Sequence, residues 1–155
     1  MTVTAAPAIS DLSRFIPELR SRRRDGALAE LVEVAHGAGA VRARAPVVEI
    51  LRVRERVMAS AIARDAALVG ARSLGVARPL VLVGRAPRGV EWPGAEDGAV
   101  HLVVLVLAPA EWTDEAFHAQ LARAATLVRL QRTRQRLLAG GTDDRVTGLL
   151  REATS

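Results

Sequence analysis

Two short runs of β-branched and leucine residues, Pro79 to Gly84 and Val100 to Leu107, constrain this chain more than any other feature. Each is bounded by Pro, Gly or Asp and has the length and composition of a strand buried in a sheet. Such strands need cover, and the segments before and after them carry the helical periods that supply it. Helices at both ends with strands between them predict an α/β sandwich, a central mixed β-sheet flanked by helices.

The first helix is predicted over Asp25 to His36, where Leu28, Leu31, Val32 and Ala35 share one face and Gly37-Ala38-Gly39 supplies a stop. The second is predicted over Ala45 to Arg56, with Pro46 at a first helical position, Val47, Ile50 and Leu51 inward and Arg54 one turn further on. Between Val57 and Arg78 the pattern is mixed, and extended structure is expected around Ala66 to Val69. Arg85 to Ala99 holds Pro87, Gly89, Pro93, Gly94 and Gly98 and reads as a turn-rich excursion between the strands. Thr113 is a good N-cap, with Asp114 and Glu115 at the positive helix end and a stripe through Phe117, Leu121, Ala124, Ala125 and Val128. A further helical segment ends at Gly140-Gly141, and Thr142 opens a last short helix carrying Val146, Leu149 and Leu150.

Several functional classes fall away on composition. The chain has no cysteine, which excludes disulfides, thiolate metal sites and cysteine nucleophiles. Its three histidines are scattered, so no zinc site is expected, and no cofactor is called for. The longest apolar run, Val100 to Pro109, is too short to span a bilayer as a helix, and Met1 to Ser10 lacks the pattern of a secretory signal. The cytoplasm is therefore the expected location. The net charge is +5, but all 22 basic residues are arginine, and Arg, Ala, Val and Gly are enriched together, which points to codon bias rather than to phosphate contacts. Arg20, Arg22, Arg23 and Arg24 form the densest basic cluster and read as an exposed helix lead-in. Arg132-x-Arg134-x-Arg136 spreads its charges around a helix, and the aromatics that single-strand binders interleave with arginine are nearly absent. A nucleic-acid partner is not expected.

The order of these elements resembles the fructose/mannitol and nitrogen-regulatory branch of the phosphotransferase-system enzyme IIA family, from about Ile9 to Leu150. Ile9-Ser10-Asp11-Leu12 is similar to that family's opening, and Ala27 to Val41 to its first helix and turn. Arg54-Glu55 is similar to the Arg-Glu pair before its phosphorylation loop. Pro79 to Gly84, Gly89-Val90-Glu91-Trp92 and Gly98 to Pro109 resemble its central strands, and His118 with Leu121 and Ala122 resembles the helix carrying its second histidine. On this resemblance residues 1–8 are a flexible lead-in and residues 9–152 the enzyme IIA-like domain.

In that family a Gly-x-Ala-x-Pro-His-Ala-Arg-like stretch carries the phosphoacceptor histidine. Counted without a gap from Arg54-Glu55, it falls on Asp65 to Arg72: Ala67, Ala71 and Arg72 fit, Val69 replaces proline and Gly70 stands at the acceptor position. The resemblance thus implies a site made of Arg54, Arg72 and His118 around a missing imidazole, placed in a loop. Phosphoryl transfer needs an in-line nucleophile as well as donors, so no catalytic residue is assigned there. The expected role is a regulatory module that binds a protein partner, either a phosphocarrier or a regulatory target. The alternatives are a phosphocarrier using another histidine such as His118, and an Arg-driven nucleic-acid binder. His118 reads rather as a helix-surface or half-buried histidine satisfied by a neighbour, Arg54 equally as an ion-pair partner of Glu49, Glu55 or Asp65, and His36 and His101 as structural residues with no carboxylate partner at a recognisable spacing.

Overall fold

A computed structural model describes residues 14–57, 61–63 and 65–139. The predicted lead-in, the opening at Ile9 to Leu12 and the last helix from Thr142 lie outside these residues. Five strands, β1 (Arg14–Ile16), β2 (Ala61–Ala63), β3 (Ala66–Ser73), β4 (Leu80–Glu91) and β5 (Ala99–Pro109), form one sheet in the order β1-β4-β5-β3-β2. It is mixed: β1 runs parallel to β4 and β3 parallel to β5, while β4 with β5 and β2 with β3 are antiparallel.

The period-two alternation of the strands divides the core into two layers. Ala67, Val69 and Ala71 of β3, Leu80 and Leu82 of β4 and Val103, Leu105 and Leu107 of β5 face one side. There they meet Leu28, Leu31 and Val32 of α1 (Arg24–Gly37) and Val47 and Leu51 of α2 (Arg44–Val57). Val81 and Val83 of β4 and Leu102, Val104 and Val106 of β5 face the other side. They pack on Phe117, Ala124, Leu127 and Val128 of α3 (Asp114–Arg129) and Leu137 of α4 (Gln131–Ala139). The predicted flanked sheet is the observed one. Each fully buried Leu or Val contributes roughly 1.5–3 kcal/mol, so this aliphatic double layer dominates stability.

Three expectations are corrected. The excursion predicted over Arg85 to Ala99 is mostly strand: β4 continues to Glu91, and the turn is confined to the residues before Ala99. Pro87 is tolerated because the register shifts between Arg85 and Val90, a bulge where no ladder N–H is needed, and Gly89 supplies φ +84° there. On α2 the helix begins two residues before Pro46, Ile50 is half-buried, and Glu55 rather than Arg54 takes the inward position at 3% exposure. On α3, Leu121 is half-buried and Gln120 is fully buried instead.

Candidate functional site

Position 70 lies in a strand, not in a loop. Gly70 pairs with Val106 in the middle of the parallel β3–β5 ladder and is buried. The alternation of β3 turns it toward α3, where the helix comes so close that a Cβ on Gly70 would lie 2.7 Å from Leu121 Cδ2 and 3.1 Å from Phe117 Cζ. The Val106 carbonyl oxygen is 3.3 Å away on the third side. The position carries no side chain, and a Cβ there would require the Leu121 side chain to shift.

Two residues on, the strand again points toward α3, and here it carries Arg72. Its Nη1 donates to the Trp112 carbonyl at 2.8 Å, its Nη2 is ion-paired with the Asp114 carboxylate, and its guanidinium carbon stands 5.2 Å from the centre of the Phe117 ring. Three interactions thus hold one planar cation against the start of α3. That start is itself well built: the Thr113 hydroxyl accepts the Ala116 N–H at 3.1 Å, and Asp114 and Glu115 occupy the first turn.

His118 is exposed on the first half of α3, its ring centre 6.1 Å from that of Phe117. Arg54 is also exposed, but on α2, which covers the opposite face of the sheet. The structure therefore brings Arg72 and the Phe117–Leu121 stretch together beside Gly70, whereas Arg54 belongs to a helix packed on the other face of the sheet. Of the carboxylates expected beside Arg54, Glu49 pairs with Arg52 at 3.6 Å and Asp65 faces His101.

That last contact was missed by the sequence reading. His101 Nδ1 is 3.4 Å from Asp65 Oδ1, and the backbone N–H groups of His101 and Leu102 both donate to the Asp65 carbonyl, at 2.7 and 3.0 Å. The partners come from the starts of β3 and β5, so only the strand register brings them together. Among the described residues, no group of three or more His, Cys, Asp or Glu converges as a metal site. No helix among them is long and apolar enough to cross a membrane. At the start of α1, Ser21, Arg22, Arg23 and Arg24 line an open concavity of about 830 Å³, shared with Asp25 and Glu91.

The sequence matches the family described as "Phosphoenolpyruvate-dependent sugar phosphotransferase system, EIIA 2" over residues 11–153. It is 24% identical over 134 residues to the PTS system fructose-specific EIIABC component of Bacillus subtilis (strain 168), covering 86% of this chain and 21% of that protein. The chain thus spans about a fifth of that relative's length. The fold is similar to the nitrogen regulatory protein IIA-Ntr of Neisseria meningitidis, with a TM-score of 0.77 at 19% identity over 91% of this chain and 97% of that one. It is also similar to IIA mannitol of Escherichia coli, with a TM-score of 0.67 at 19% identity over 88% and 95% of the two chains.

Proposed function

We propose that this chain, which belongs to the EIIA 2 family of the phosphoenolpyruvate-dependent sugar phosphotransferase system, is a regulatory protein-interaction module that does not carry phosphate at the family's usual position. The observation that carries this reading is the packing at Gly70. In the ungapped register from Arg54-Glu55 the family's acceptor position falls on Gly70, and Leu121 and Phe117 stand 2.7 and 3.1 Å from where a Cβ on it would lie. A phosphoryl group passes between histidines only when a nitrogen lone pair can approach phosphorus in line, with donors neutralising the equatorial oxygens. Gly70 offers no lone pair. Arg72, which fits the arginine of the family's motif, is committed to Trp112, Asp114 and Phe117. Donors without a nucleophile stabilise a transition state that cannot form.

A relocated acceptor is the second reading, and two observations favour it: His118 is exposed at the start of α3, and His101 has a carboxylate beside Nδ1 with its ring 40% exposed. Incubating the wild-type chain with a phosphoenolpyruvate-charged histidine phosphocarrier separates the readings. The module reading predicts an unlabelled protein. Stoichiometric label lost in His118→Ala or His101→Ala would instead establish a relocated phosphocarrier.

A further inference from the structure

From Ala116 through Ala139 the chain contains five arginines and no Asp or Glu. This stretch is most of α3, the single residue Leu130, and all of α4. Elsewhere the described arginines are often neutralised: Arg24 and Arg52 by Asp25, Arg44 by Glu33, Arg72 by Asp114. Here only Arg134 is engaged, donating to the Val128 carbonyl at 2.7 Å and thereby closing the end of α3. Arg123, Arg129, Arg132 and Arg136 are exposed, and no ion pair among the described residues includes them.

Their arrangement around Leu130 matters more than their number. Arg123 lies about two helical turns before Leu130, Arg129 immediately before it, and Arg132 and Arg136 follow on one face of α4 at i, i+4. Leu130 is 59% exposed at this corner, one of three large apolar side chains left in solvent among the described residues. Like charges at i, i+4 repel and nothing in the helix offsets them, so an acidic surface laid against α4 would gain attraction and relieve repulsion together. An exposed leucine between helices that both carry exposed arginines has the composition of a protein contact, with an apolar centre and a charged rim. Nucleic-acid backbones use the arginines but not the leucine, and no aromatic is interleaved with these arginines to stack a base.

From this we infer that the α3–α4 corner is a docking surface for an acidic protein face, with Leu130 as its apolar contact. The inference rests on reading the chain as an interaction module and names the chemistry of the partner. The probe is a fluorescein-labelled acidic helical peptide whose glutamates flank a leucine, titrated by anisotropy at low salt and at physiological salt. The wild type binds at low salt, and Arg129→Glu/Arg132→Glu/Arg136→Glu weakens binding by roughly tenfold or more. Leu130→Ser weakens it severalfold. Arg20→Glu/Arg22→Glu/Arg23→Glu, with the same change in net charge at the start of α1, leaves it unchanged. Circular dichroism of each variant establishes that the fold is retained; should the α3–α4 triple variant unfold, Leu130→Ser and the α1 control decide. No binding at low salt, equal weakening by the α1 control, or tighter binding to duplex DNA than to the peptide overturns the inference. Phosphorylation of the wild type would end the module reading and leave this binding result standing, so the two failures are distinct.

Discussion

Leu121 occupies the space that a side chain on Gly70 would need: a Cβ built there stands 2.7 Å from Leu121 Cδ2. Helix α3 has closed down on the strand at that point, with the Phe117 ring edge beside it. Overpacking of this kind costs about 1–3 kcal/mol, because neighbouring side chains must leave their rotamers, and an alanine in a strand recovers only about 0.5–1 kcal/mol of backbone entropy. Gly70→Ala is therefore predicted to destabilise the protein by about 1 kcal/mol. In a Leu121→Ala background the same change is predicted to cost clearly less. Urea denaturation of the four proteins of the cycle measures the coupling, and additivity would mean that Leu121 is not what fills the site.

Arg72 carries more of the local stability than its ionic partner does. The Asp114 side chain is 78% exposed, so solvent screening limits its pair with Arg72 to at most about 1 kcal/mol. Loss of Arg72 also removes the bond to the Trp112 carbonyl and the contact with the Phe117 ring. Arg72→Ala is predicted to cost about 1–2 kcal/mol and Asp114→Asn less than half of that. Thermal melts at two salt concentrations check the ranking, since only the Asp114 component is strongly screened. Equal losses from the two changes would refute it.

The layout of the fold was legible because it rests on periodicity. The buried runs of β4 and β5 and the stripes of α1 and α3 are patterns within one element, and each appears where the spacing puts it. What was not legible depends on partners distant in sequence. Pro87 and Gly89 suggest a turn, yet a register shift against β5 absorbs both, and nothing in the residues nearby announces it. His101 gains its carboxylate from Asp65 only through the β3–β5 register. On α2, Arg54 and Glu55 differ by one helical step, and only the sheet beneath decides which of them turns inward. At the candidate site, Gly70 was found by counting along a motif, whereas the Phe117–Leu121 packing over it is visible only in three dimensions.

The start of α3 supplies a simpler test. Thr113 caps the helix that bears Phe117, His118 and Leu121, accepting the Ala116 N–H. Thr113→Ala is predicted to cost about 1 kcal/mol, and Thr113→Asp to restore most of it. Chemical denaturation reads both variants, and a neutral Thr113→Ala would show that packing alone sets the helix start.

Gln120 predicts a change of the opposite sign. Its side chain is 1% exposed and Oε1 has no hydrogen-bond partner among the described residues, so α3 holds an uncompensated acceptor in its buried face. Gln120→Met keeps the volume and removes the polar atom, and is predicted to raise stability by about 1 kcal/mol. An unchanged or lowered denaturation midpoint would mean that the amide is satisfied in solution.

The proposed module takes no phosphate at position 70 or on any of its histidines. Mass spectrometry of the wild-type protein, taken at neutral pH to preserve acid-labile phosphohistidine after exposure to a charged phosphocarrier, measures this directly. No phosphorylated species is expected while an enzyme IIA that has its histidine, treated in the same way, is fully labelled. A stoichiometric phosphorylated form that maps to His36, His101 or His118 would contradict it and make the chain a working carrier with a displaced acceptor.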